Sequence, residues 1–154
     1  MSIQKTIEEN MKAVLGGDLL ENALNFVTHL RETGIEVNGN RFFYMNEPTC
    51  IIIWKHDENN ANGEWFICDC PLQEHEGFPI CESVKEYVQS SVSKCRNCGC
   101  NHEDKGATRT IFGKEFDNLC SSPVAFINPT AEELEKVKIM MELWKHIIAE
   151  QKKG

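Results

Sequence analysis

Cys50-Ile51-Ile52-Ile53-Trp54 and Glu64-Trp65-Phe66-Ile67-Cys68-Asp69-Cys70 decide the fold. Both runs are apolar at nearly every position, the pattern of a strand covered on both faces. Between them lies the polar stretch Asp57-Glu58-Asn59-Asn60-Ala61-Asn62-Gly63. A connection that short favours antiparallel neighbours. The two runs are therefore expected side by side in the centre of a sheet. Upstream, Asn38-Gly39 is a hairpin signal between strands at 35–37 and 41–45. Pro48 is expected to separate that hairpin from the strand at 50–54.

Helices are expected on either side of this sheet. Residues 2–15 place Ile3, Ile7, Met11, Val14 and Leu15 on one face. Gly16-Gly17 ends that helix. A second is expected to start at Asp18, with Glu21 completing a capping box. Its buried stripe is Leu20, Ala23, Leu24, Val27 and Leu30, and Gly34 stops it. Residues 82–92 read as a third helix, with Val84, Tyr87, Val88 and Ser91 on one side. Thr130 and Glu133 form a capping box after Pro129 and open a long closing helix. Leu134, Val137, Met140, Met141, Trp144, Ile147 and Ile148 make its apolar stripe. Residues 93–123 show no clean period, with short strands expected at 108–112 and 124–127. The expected class is α+β: one domain over residues 1–154, a small mainly antiparallel sheet packed by N-terminal helices and a long C-terminal helix, and a cysteine-rich loop subregion at 93–123.

The bulk properties narrow the function classes. The chain has 154 residues and a formal net charge of −8. An acidic surface repels phosphate backbones and anionic membranes, so neither nucleic acid nor a membrane is an expected partner. No stretch approaches the roughly 20 apolar residues of a membrane span. The N-terminal MSIQKTIEENMKAV is too polar for a signal peptide. A cytoplasmic location follows as the expectation. Eight cysteines are about 5% of the chain, below the roughly 8–10% of a disulfide scaffold. In a reducing compartment, clustered cysteines point to metal or redox chemistry.

Cys95-Arg96-Asn97-Cys98-Gly99-Cys100 carries most of that signal. Two cysteines three apart with glycine after the second have the form of a zinc knuckle. The glycine can take positive φ and turn backbone N–H groups toward the sulfurs. A closed site needs four ligands, and no second C-x2-C exists here. The other candidates are Cys100, His102, Cys120 and Cys81. The preferred set is Cys95, Cys98, Cys100 and Cys120 around one structural Zn2+, with His102 or Cys81 as alternatives to Cys100. Lys94, Arg96, Lys105, Arg109 and Lys114 would offset the excess thiolate charge. The competing readings are reduced thiols in a loop, a redox C-x2-C and an iron–sulfur cluster. A redox pair usually opens a helix after a strand, whereas this one follows a helix. The spacing also departs from the ferredoxin patterns. Cys68-Asp69-Cys70 and Cys50 read as small buried hydrophobes on strands.

The segment Thr108-Arg109-Thr110-Ile111-Phe112-Gly113-Lys114-Glu115-Phe116-Asp117-Asn118-Leu119-Cys120 resembles one found in small bacterial proteins of unassigned function. Those proteins carry a C-x2-C-x-C cluster, a TIFGKEF-x-N-x-C segment and a closing helix of the type Asn128-Pro129-Thr130-Ala131-Glu132. The likeness covers roughly residues 40–148. It implies that Cys95, Cys98, Cys100 and Cys120 belong to one feature, and it implies no activity. The order of helices, small sheet and closing helix is also loosely similar to YjbR-type α+β domains, a likeness that carries no function.

Catalytic signatures are absent from the sequence. It has no Walker loop, GxGxxG, GxSxG or HExxH. His75 reads as solvated in an acidic loop, and His29, His56 and His146 as surface positions beside charges or on helices. Trp54, Trp65, Phe42, Phe43, Tyr44 and Phe66 read as core, or alternatively as an aromatic-lined cleft between sheet and helix. The expected function is a non-enzymatic, zinc-stabilised module that binds a protein or small-molecule ligand. The alternative is a thiol-redox protein or other enzyme using Cys95 and Cys98.

Overall fold

The computed structural model describes residues 6–68, 77–94 and 106–153. Among the described residues, four helices and seven strands run in the order α1 (Ile7–Lys12), α2 (Gly17–Glu32), β1 (Glu36–Asn38), β2 (Arg41–Tyr44), β3 (Glu47–Asp57), β4 (Asn60–Cys68), α3 (Glu82–Ser90), β5 (Val92–Lys94), β6 (Ala107–Ile111), β7 (Lys114–Ile127) and α4 (Ala131–Lys153). The strands form one sheet ordered β1-β2-β3-β4-β7-β5, with β6 on β7, and the pairings are antiparallel. The fold is α+β. No helix among the described residues is long and apolar enough to cross a membrane.

The two apolar runs lie at the sheet centre and pair directly, Ile52 opposite Ile67 and Trp54 opposite Trp65. Period-two alternation sorts their side chains. Ile52, Trp65, Ile67 and Phe126 are fully buried on the face that takes the helices. Phe26 of α2 meets Trp65 at 6.3 Å between centroids, and Tyr87 of α3 stacks on Phe126 at 5.1 Å. Ile53 and Phe66 point to the other face and are half-buried.

Several boundaries differ from the sequence reading. Pro48 lies inside β3, as its second residue. It faces Phe43 beside the β2–β3 register shift, an irregularity of the kind where a strand tolerates proline. The β3–β4 connection is tighter than expected, because Asp57 already pairs with Asn60. The capping box at Asp18 does not form. Gly16 is the N-cap of α2, without a side-chain cap. Its N–H instead donates to Asn62 O at 3.0 Å, anchoring the α1–α2 turn to the β3–β4 hairpin. Gly63 permits that docking: at φ 82°, a Cβ there would lie 2.8 Å from Val14 O. Residues 106–123 are not an aperiodic loop. They form β6 and most of β7, and Ile111 and Leu119 are buried in the main core.

The closing helix matches its reading. Thr130 N–H donates to Glu133 Oε1 at 3.0 Å, and Glu133 N–H donates to Thr130 Oγ1 at 3.1 Å. The buried stripe of α4 is Leu134, Val137, Met140, Met141, Leu143, Trp144, Ile147 and Ile148. Its Lys145 reaches α2, where Nζ donates to Thr33 O at 2.7 Å and satisfies a helix C-terminal carbonyl.

Candidate metal centre

β7 carries Cys120, the described residue of the candidate set, and two irregularities flank it. Along β6, two steps from Ala107 to Arg109 are matched by three along β7, from Leu119 to Phe116. The extra residue is a bulge, and Asn118 within it takes φ 52°. Along β5, two steps from Val92 to Lys94 are matched by five along β7, from Val124 to Leu119. The surplus falls on residues 120–123. Bulges of this kind re-aim side chains and gather next to functional sites.

Between the two irregularities sit Leu119 and Cys120. Leu119 is fully buried in the core. Cys120 is half-buried, and alternation turns it to the opposite face of the strand. Leu119 is paired on both sides, with Lys94 of β5 and with Ala107 of β6. Gly106 N–H also donates to Leu119 O at 2.6 Å. Lys94 is the last described residue before the cysteine segment, and Gly106 is the first after it. The chain therefore leaves for residues 95–105 and returns from them at one point, beside Cys120.

Cys95, Cys98 and Cys100, and the alternative ligand His102, lie outside the described residues. Among the described residues, no three His, Cys, Asp or Glu side chains are grouped to hold an ion. Two of the cations expected to offset thiolate charge have other engagements. Lys94 Nζ donates to Asp117 Oδ1 at 2.9 Å and to Asp117 O at 2.6 Å. That ammonium holds the exposed Asp117 carboxyl below its ordinary range. Lys114 and Lys94 lie over the Phe116 ring at 5.4 and 5.9 Å.

The other described cysteines divide by burial. Cys50 is fully enclosed, and burial pushes its thiol up to about 12. Cys68 is also buried. Both therefore serve as core, as the sequence suggested for strand cysteines. Cys81 is exposed at the N-cap of α3. A hydrogen bond with Ser83 Oγ at 3.2 Å lowers its pKa, aided by the Val84 N–H. Of the histidines, His75 and its loop lie outside the described residues. His56 is exposed. His146 packs against Phe78 at 5.8 Å. His29 is less superficial than its sequence suggests, because its Nε2 is buried with no described partner.

The aromatic cluster divides between core and surface. Phe42 and Trp65 are fully buried, whereas Phe43, Tyr44, Trp54 and Phe66 are half-buried. A shallow depression of about 310 Å³ beside Trp54 is lined by Asn10, Gly39, Asn40, Ile52 and Ile53. A larger groove of about 400 Å³ runs between the end of α3, β5, β7 and the first turn of α4. No sequence signal marked this groove, because its lining comes from two stretches, 87–94 and 125–133, that only the fold brings together. The chain matches no protein-family model, no curated protein and no solved structure.

Proposed function

We propose that this chain is a zinc-stabilised binding module in which Cys95, Cys98, Cys100 and Cys120 hold one Zn2+ as thiolates. The observation that carries the reading is the double pairing of Leu119. It brings the start and finish of the 95–105 segment to the residue beside Cys120. A knuckle C-x2-C-G supplies two ligands from one turn of chain. The third comes from Cys100 and the fourth from the strand beneath. The resemblance in which these four cysteines form one feature agrees with this set. Zinc would fix a segment that has little apolar surface of its own, since metal binding to the folded form adds folding free energy. Such a role needs reduced thiols and so suits a reducing compartment.

The test is elemental analysis together with thiol titration on reduced protein purified without added metal. About one zinc per chain is expected, with the four thiols released on chelation. Protein free of zinc, iron and other transition metals overturns the reading. If such protein also showed Cys95 and Cys98 reacting unusually fast, the redox alternative would replace it.

A further inference from the structure

The groove of about 400 Å³ beside β5 contains an open piece of sheet edge. Two bonds fix the direction of the β7 backbone there. Asn128 N–H donates to Trp65 O of β4 at 2.8 Å, while Ala125 N–H donates to Ser91 O on the opposite side at 3.0 Å. Alternation then turns the N–H and C=O of Ile127 away from β4, to the side of Ala125. The first β5 rung is Val92 opposite Val124, and from Ser91 back the chain is already the end of α3. The Ile127 edge therefore faces the groove beyond the reach of β5. The Ile127 side chain is 56% exposed, the highest among the large hydrophobics described. Among the described residues this edge has no strand partner, and an edge of that kind with an exposed apolar side chain is what an added extended strand reads.

The polar lining favours a cation. Ser90 Oγ and Ser91 Oγ both donate to Tyr87 O at 2.8 Å, which leaves their lone pairs as acceptors. Glu133 uses Oε1 on the Thr130 N–H and keeps Oε2 available. Lys94 is paired with Asp117, so among the described residues the lining charge without an ion pair is that of Glu133. Lys136 lies over the Tyr87 ring at 5.7 Å and is not part of the lining.

We infer that this groove binds a short extended peptide carrying a basic side chain, with its backbone added to β7 at Ile127 and its cation directed to Glu133 and the serine hydroxyls. This names a partner for the binding-module reading. It uses only residues outside the 95–105 segment, so its failure and the failure of the zinc reading are separate results.

The experiment is an amide NMR titration of the full chain, with its metal content measured on the same sample. The probes are acetylated and amidated Thr-Val-Xaa-Val-Thr peptides with Lys, Gln or Glu at the centre, together with n-butylamine. The Lys peptide is expected to give a saturable shift at the Ile127 amide and to bind at least about tenfold tighter than the Glu peptide. Glu133→Gln, which preserves the capping box, is expected to shrink that ratio at least about threefold. The inference is overturned if no peptide moves the Ile127 amide, or if the Lys and Glu peptides bind equally. It is also overturned if n-butylamine alone reproduces the shift, since the groove would then be a site for small amines.

Discussion

Single residues carry some of the strongest constraints in this fold, and Asn128 is the clearest. It sits at φ 44°, where most side chains other than Asn, Asp or Gly are strained. Its Oδ1 accepts from Trp65 N–H at 2.9 Å while its own N–H donates to Trp65 O at 2.8 Å. This reciprocal pair locks the end of β7 to β4 just before α4 begins. Asn128→Ala would orphan the Trp65 N–H and strain the turn, costing roughly 2–4 kcal/mol. Asn128→Gly should cost less, because only the side-chain bond is lost, and Asn128→Asp should be nearest to wild type. Denaturant unfolding of the three variants checks this order. His29 makes a second residue-scale prediction. Burial lowers its pKa and Lys138 lowers it further, against the raising effect of Glu142, Glu135 and Glu32. The unfolded chain therefore binds a proton at His29 more readily than the folded one. Stability from this group is complete above the ordinary value of 6.5 and is lost as pH falls below it. Between pH 7.5 and 5.5, His29→Gln should lose less stability than wild type; equal slopes would contradict this. In the sequence, Asn128 was visible only as part of a resembling segment. Its left-handed backbone and its partner across the sheet leave no local signature.

Elements with a strong hydrophobic period were legible, and those held by tertiary contacts were not. The seven apolar positions read in the closing helix are all buried, and its capping box forms. The β6–β7 hairpin escaped because its turn lacks the usual Asn-Gly. Ile111 pairs with Lys114 across Phe112 and Gly113, which take φ 49° and 87°. Both central residues thus have the positive φ of a type I′ turn. Phe112 is kept there by tertiary partners: it packs against the core, and Gln89 Nε2 donates to Ile111 O at 3.0 Å and Phe112 O at 3.2 Å. Because this hairpin carries buried Ile111 and Leu119, it is expected to stay docked without an ion. Metal dependence is therefore expected at residues 95–105 rather than across the whole cysteine-rich subregion at 93–123. Hydrogen exchange with and without chelator should show faster exchange at 95–105 and little change in β6, in β7 from 114 to 117, or in the helices. Faster exchange throughout the sheet would place the ion in the folding core. Unchanged exchange everywhere would mean no stabilising metal.

At the scale of the molecule, one continuous core joins both apolar strands to α2, α3, α4 and the β6–β7 hairpin. Trp144 is among its largest side chains, 1% exposed, with its indole N–H unpartnered among the described residues. Trp144→Ala should cost roughly 3–5 kcal/mol in chemical unfolding. A loss below about 1 kcal/mol would mean that the core closes over the gap. The same core explains how much of the site could be read beforehand. Spacing pointed to Cys95 and Cys98, and the resemblance joined Cys100 and Cys120 to them; the sheet register adds that the residue before Cys120 pairs with both strands that flank residues 95–105. Residue 120 is far along the chain from the knuckle, and β5 and β6 pair its strand with Lys94 and Ala107, on either side of residues 95–105. The most direct test of that account compares zinc affinity, by chelator competition, in Cys120→Ser, Cys81→Ser and wild-type protein. Cys120→Ser should weaken zinc binding by roughly tenfold or more while Cys81→Ser leaves it unchanged. Wild-type affinity in Cys120→Ser would contradict the proposed centre.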